Sequence, residues 1–149
     1  MKQQGIRILA AFSILLLQSA CSTDPIRQEP DKASVSVKEL VKSTQSWDGE
    51  TLPAYPSTQP RISILRIRIP AGAELDMHRH PVINAGVLLS GQLTVMTKTG
   101  KTLHLKAGDP IVEVVNTAHF GVNQGDAPAE IIVFYAGTVD SPISVIESK

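Results

Sequence analysis

Two of the four histidines in this chain have a spacing from which they could bind one metal ion. His78 and His80 are two residues apart, and His119 follows further along the chain. On a β-strand, residues i and i+2 point to the same face and lie roughly 7 Å apart. Two neutral imidazoles can then converge on one ion, although a pair of exposed histidines has the same spacing. His104 lies between two leucines, so it faces water if the leucines face the core, and it is left out of the site.

The sequence around these histidines predicts short strands broken by turns. From residue 61 onwards, short apolar runs alternate with turn sequences such as Gly108-Asp109-Pro110. Strands this short and evenly spaced predict an all-β sandwich or barrel. The apolar alternation changes parity at Ile64-Leu65, which predicts a β-bulge there. Residues 131–135 are apolar throughout, which is typical of a strand buried on both faces.

Two spaced sets of residues resemble the motifs of the cupin superfamily. The first set is Gly72, His78, His80, Asn84 and Gly91, and the second is Gly108, Asp109, His119 and Asn123. The resemblance covers residues 61 to 145 and implies a small antiparallel β-barrel of the cupin or jelly-roll type over residues 61–149. It also implies one divalent metal ion in the barrel mouth. The resemblance implies that the ligands are His78, His80 and His119. It leaves the metal open among iron, manganese, zinc, nickel and copper.

The sequence departs from this resemblance at the fourth ligand. The glutamate of the first motif falls on Asn84, whose amide is a poorer ligand and brings no negative charge. In the second motif, Val114 and Asn116 stand where proline and glycine are usual. Three histidines plus water still form an open zinc site, so metal binding is predicted over a metal-free barrel. Glu113 interrupts the apolar run 111–115 and is the other candidate for the fourth ligand, although a solvent-facing position is favoured for it.

The N-terminal residues 1–20 have the pattern of a signal peptide. Lys2 and Arg7 precede an apolar run over residues 8–17, which is too short to span a bilayer as a helix and has the length of a signal-peptide core. The segment 17–21 resembles a bacterial lipoprotein signal, apart from Gln18 where leucine is usual. We therefore expect a periplasmic protein of the cell envelope, lipidated at Cys21 by acyl chains such as palmitate.

If lipidated, the protein is expected to be sorted to the outer membrane because Ser22 follows the cysteine. Ordinary cleavage after Ala20 is the alternative, and it would release the protein without a lipid anchor.

The stretch between the signal and the barrel divides into two parts. Residues 21–34 are polar and predict a flexible tether. Residues 35–60 predict an irregular N-terminal arm because several prolines interrupt them, and Trp47 and Tyr55 are expected to pin this arm to the core. Cupins often pair through such an arm, so the resemblance also implies a homodimer.

Composition and motifs exclude some classes of function but do not identify a reaction. The 149 residues carry zero formal net charge, which argues against a nucleic-acid partner. The sequence contains no nucleophile elbow, phosphate-binding glycine loop or paired carboxylates near the histidines. One hypothesis is a metal-dependent enzyme acting on a small molecule, either a dioxygenase-like oxidoreductase or an isomerase. The other is a non-catalytic cupin of the cell envelope that binds a small molecule or serves a structural role.

Overall fold

A computed structural model describes residues 34–147, and within them all regular structure is β-strand. The nine strands are β1 (Pro60–Ile69), β2 (His78–Arg79), β3 (Ile83–Ser90), β4 (Gln92–Thr97), β5 (Thr102–Lys106), β6 (Pro110–Val112), β7 (His119–Val122), β8 (Ala129–Thr138) and β9 (Val145–Ile146). The predicted signal peptide, Cys21 and the tether up to residue 33 lie outside the described residues. In the described part of the chain, no helix is long and apolar enough to cross a membrane.

The strands form two antiparallel sheets that share one core. One sheet has the order β1-β8-β3-β6, and the other has the order β5-β4-β7-β2-β9. Buried side chains from both sheets pack together, among them Leu88 of β3, Leu93 of β4 and Ile131 of β8. This arrangement confirms the predicted all-β barrel of the jelly-roll type.

The predicted β-bulge at Ile64-Leu65 is wrong. Strand β1 pairs with β8 in one unbroken register, with Ile64 opposite Phe134 and Leu65 opposite Val133. The parity of the apolar residues changes because both faces of β1 carry aliphatic side chains. The register shift in this sheet lies instead in β3, between Leu88 and Ser90.

The expectation that β8 is buried on both faces is also wrong. Ile131, Val133 and Tyr135 point into the core and are almost fully buried. The alternate residues Ile132 and Phe134 point outwards and are 37% and 46% exposed. The outer face of β8 is therefore apolar, and apolar side chains of the neighbouring strands extend this surface.

The glycine that ends the first motif is required by the turn between β3 and β4. Gly91 has a φ of 75°, a conformation that glycine adopts readily and other residues rarely adopt. A Cβ at this position would also lie 2.8 Å from the carbonyl oxygen of Pro128. The turn thus combines a left-handed backbone with a close approach of two chain segments.

The N-terminal arm is held to the barrel by a small hairpin over residues 44–52. The amide of Leu52 donates to Thr44, and the amide of Trp47 donates to Val112 of β6 over 2.9 Å. Trp47 packs against the core, which confirms that it anchors the arm. The same prediction for Tyr55 is wrong, because its side chain is 79% exposed.

Candidate metal centre

The three predicted ligands come from neighbouring segments of the five-stranded sheet. His78 in β2 lies directly opposite His119 at the start of β7, and His80 follows β2 by one residue, where it bridges Val115. Side chains directly opposed across antiparallel strands have Cβ atoms about 4.5–5.5 Å apart. The three imidazole ring centroids lie 4.5, 4.8 and 5.0 Å from one another. Strand pairing therefore brings the histidines of both motifs to one place.

Backbone carbonyls orient all three rings in the same way. The bonds measure 2.7 Å from Nδ1 of His78 to Asp76, 2.7 Å from Nδ1 of His80 to Ile143 and 2.8 Å from Nδ1 of His119 to Thr117. Since a carbonyl oxygen can only accept, each Nδ1 donates and the free lone pair lies on Nε2. Metal-ligating histidines are commonly held by such a second hydrogen bond, which fixes both the tautomer and the ring orientation.

Burial keeps two of the histidines neutral. His80 and His119 are only 5% and 2% exposed. Burial lowers the pKa of His80 to about 4, and the carbonyl of Ile143 opposes that shift less than burial drives it. Burial also lowers the pKa of His119, and the neighbouring His78 adds to the effect. Both imidazoles are therefore unprotonated at neutral pH, which is the form that binds a metal.

These residues fit one divalent metal ion. One nitrogen from each of the three histidines lies within 4.8 Å of the other two, and imidazole nitrogens suit zinc, copper, iron and nickel. The three histidines are thus positioned to bind one ion while leaving coordination positions open. His104 is exposed on β5 and stays outside the group, as predicted.

A cavity of about 50 Å³ adjoins the histidines. Most of its wall is aliphatic, and its polar groups come from the three histidines, Glu113 and Tyr135. Burial raises the pKa of Tyr135 to about 12, so its hydroxyl keeps its proton and can donate to a bound molecule. The cavity has room for an ion and a few water-sized groups.

Glu113 is buried, contrary to the solvent-facing position favoured for it. It is 8% exposed, it lines the histidine cavity, and its Oε2 lies 3.7 Å from Nε2 of His119. Burial raises the pKa of Glu113 to about 7, while the nearby indole N–H of Trp47 and amide of Val114 oppose this shift. Its parity was ambiguous in the sequence because apolar residues occupy both faces of this run.

Asn84 is buried without lining that cavity. Its side chain is on the inner face of β3, and Nδ2 donates to the carbonyl of Val82 over 3.3 Å. Its Oδ1 has no hydrogen-bond partner among residues 34–147.

The sequence interpretation missed one contributor to the site, the indole of Trp47. This side chain comes from the arm and lies beside the Glu113 carboxylate. Within the described residues, neither Nε1 of Trp47 nor Oε2 of Glu113 forms a hydrogen bond of full geometry. The only sequence signal was an aromatic residue in an irregular segment, and that signal does not identify its neighbour.

Comparisons with known proteins agree with this architecture. Residues 65–135 match the family described as the cupin domain. No curated protein matches the sequence significantly.

Among solved structures, the chain is similar to an oxalate oxidase in complex with the substrate analogue glycolate, with 24% identity, a TM-score of 0.50 and coverage of 57% of this chain and 45% of that chain. It is also similar to the DMSP lyase DddQ from Ruegeria pomeroyi, with 20% identity, a TM-score of 0.51 and coverage of 59% and 45%. A protein with a double-stranded β-helix domain from Klebsiella pneumoniae has 20% identity and a TM-score of 0.50, with coverage of 75% and 100%.

The two enzymes are matched over less than half of their own length. At these identities the likeness shows the fold alone. Residues 65–135 are thus similar to the cupin domain, and the chain shares the fold of these structures.

Proposed function

We propose that this cupin is a metal-dependent enzyme of the cell envelope that acts on a small molecule bound beside His78, His80 and His119. The observation that carries this proposal is the common orientation of the three imidazoles, each held at Nδ1 by a carbonyl. A divalent ion bound there would supply Lewis acidity and open coordination positions. Dioxygenase-like oxidation and isomerisation are the reaction types we propose.

The residues around the ion set the size and the binding mode of the substrate. The cavity of about 50 Å³ favours a molecule of a few non-hydrogen atoms, such as a small oxygen-rich acid. Aliphatic walls exclude water from the rest of the cavity, and the protonated Tyr135 donates a hydrogen bond to the bound molecule. Oxalate, in the name of one structural neighbour, is such a small oxygen-rich acid.

A second candidate function is non-catalytic binding of the same class of molecule. It is favoured by Asn84, since the carboxylate that cupins commonly carry at this position is replaced by an amide. One experiment separates the two candidates. The full chain, loaded in turn with each of the five metals, is incubated with small hydroxy acids and dicarboxylic acids, and turnover is followed by NMR and by oxygen uptake.

We expect turnover by the loaded wild type and none by His119→Ala. Binding of an acid without turnover under every metal would favour the second candidate. His104→Ala is the matched control, because His104 is an exposed histidine outside the site, and it should behave as wild type.

We further propose that the barrel is exported and anchored to the outer membrane by acyl chains on Cys21. The positive start, the short apolar run and the single cysteine after it support this proposal. Labelling with a palmitate analogue in a bacterial host should mark the wild type and leave Cys21→Ser unmarked. An unlabelled wild type found free in the periplasm would instead indicate ordinary cleavage after Ala20.

A further inference from the structure

Glu113 is a buried carboxylate that has no lysine or arginine partner among the described residues. Within that part of the chain, the one basic side chain within 4 Å is His119, whose Nε2 lies 3.7 Å from Oε2 of Glu113. That Oε2 also lacks a hydrogen bond among residues 34–147. Buried carboxylates are paired with a cation or coordinate a metal, because removing an unpaired charge from water is costly. The described residues therefore supply no lysine or arginine to Glu113, and a bound metal ion would serve as its cation.

Strand pairing places Glu113 next to the position where the cupin resemblance expects a glutamate. The amide of Glu113 donates to the carbonyl of Asn84 over 3.0 Å, so the two residues are neighbours on adjacent segments. Glu113 lines the histidine cavity, and Asn84 is not among its lining residues. The carboxylate at this cavity thus comes from the segment that follows β6, and not from β3.

The distance between Glu113 and His119 suits two ligands of one ion. Ligand atoms bound to the same ion at about 2.1 Å lie about 3–3.5 Å apart at the angles of octahedral or tetrahedral sites. The separation of 3.7 Å between Oε2 of Glu113 and Nε2 of His119 is close to this range.

We propose that Glu113 completes the metal centre as its fourth protein ligand, supplied from the segment that follows β6, next to the strand that carries Asn84. This proposal rests on the metal-dependent function proposed above. Three neutral imidazoles and one carboxylate then surround the ion, and the carboxylate brings the negative charge that Asn84 cannot bring. The ion in turn is the cation for the buried carboxylate.

Trp47 is a positioning residue in this arrangement. Its backbone is fixed by the hydrogen bond to Val112, and its indole lies beside the carboxylate. The indole N–H can donate to whichever carboxylate oxygen the ion does not take, as outer partners of metal ligands commonly do. Trp47 is also the single tryptophan of the chain, so its fluorescence reports on this carboxylate.

Metal titration of the full chain in detergent tests the proposal without any assay of activity. Apo wild type, Glu113→Gln and the control Glu130→Gln are titrated with Co²⁺ and with Zn²⁺. Bound metal is measured by mass spectrometry, affinity by calorimetry and Trp47 fluorescence, and ligand geometry by the visible absorption of Co²⁺. Glu130 is a suitable control because it lies on the outer face, where it pairs with Arg66.

We expect one equivalent of metal in the wild type, an affinity at least tenfold lower in Glu113→Gln and a changed Co²⁺ spectrum. Glu130→Gln should match the wild type. Unchanged affinity and an unchanged spectrum in Glu113→Gln would overturn the fourth ligand and leave the three-histidine centre intact. Absence of metal binding by the wild type would overturn the proposed function as well.

Circular dichroism of the apo proteins separates loss of a ligand from loss of fold. The variant Glu113→Asp keeps the charge and should recover part of the affinity.

Discussion

Both faces of β8 carry large apolar side chains, but their surroundings differ. On the inner face, Ile131 and Val133 pack in the core and line the histidine cavity. On the outer face, Ile132 and Phe134 remain partly exposed. Hydrophobic side chains on both sides of one strand usually mean that both sides are covered. The inner face therefore lines the histidine cavity, while the outer face is free to contact a molecule other than residues 34–147.

A second copy of the chain is the occupant that we predict for the outer face. An open groove of about 450 Å³ lies on it, lined by Leu40 and Val41 of the arm together with Ile64, Ile132 and Phe134. The same face carries both charge signs, since Arg66 pairs with Glu130 at its end. A patch with both signs around an apolar centre can be self-complementary, as a two-fold interface requires. The homodimer therefore stays a prediction, and it now has a defined surface.

The largest expected effect is the loss of metal after a change at the inner site. His119→Ala removes a ligand nitrogen from a buried group of three, so metal affinity should fall by more than about 100-fold. His104→Ala removes an exposed histidine and should leave the affinity unchanged. Calorimetric titration with Zn²⁺ measures both, and equal affinities in the two variants would refute the site.

Substitution of two neighbouring isoleucines of β8 shows how much each face contributes to the free energy of unfolding. Ile131→Ala creates a cavity in the core and should lower the free energy of unfolding by about 2–5 kcal/mol. Ile132→Ala removes the same atoms from the outer face and should cost less than about 1 kcal/mol in the monomer. Urea unfolding at low protein concentration measures both changes. Similar losses would mean that the outer face is covered in the folded chain.

A charge on the outer face should change association while leaving the metal centre intact. In Phe134→Arg, we expect the dimer dissociation constant to rise by about tenfold or more, because burying an unpaired charge at an interface costs over 1.4 kcal/mol. Zn²⁺ affinity should stay within about twofold of the wild type. Sedimentation analysis measures the association, and a wild type that remains monomeric at high concentration would disprove the predicted pairing.

The smallest expected effect is a change in how the stability of the metal-free protein depends on pH. Burial raises the pKa of Glu113 from 4.5 to about 7. The folded state therefore binds more protons than the unfolded state between these values, and this group favours folding more strongly as the pH falls. His80 acts oppositely, because burial lowers its pKa from 6.5 to about 4 and the folded state binds fewer protons in that window.

In Glu113→Gln only the opposing histidine effect remains. Between pH 7 and pH 5, the free energy of unfolding should therefore fall more steeply for the variant than for the wild type. Urea unfolding with a chelator present measures both slopes. A slope in the variant no steeper than that of the wild type would contradict the raised pKa of Glu113.

Spacing in the sequence was enough to predict the centre of the site. His78 and His80 share a strand face by their spacing of two, and the motif resemblance joined His119 to them. Gly91 was in the motif as well, and the turn with φ of 75° gives its physical reason. The structure does bring the three rings together, and the ligand assignment itself stays a prediction.

The positions of Glu113, Ile132 and Ile64 could not be predicted in the same way. Each lies in a run where both parities carry aliphatic residues, so alternation does not identify the inner face. Alternation alone therefore predicts a bulge at Ile64-Leu65 and a solvent-facing Glu113, and both predictions are wrong.

Residue types and spacing were sufficient to predict the short strands, the turns and a group of three histidines suited to one ion. Only the tertiary structure decided which face of each strand is enclosed, and hence that Glu113 shares the cavity with His119 while Asn84 does not line it. The physical reason is that burial depends on what packs against a strand. For Glu113, one such neighbour is Trp47 of the arm, which is distant in sequence.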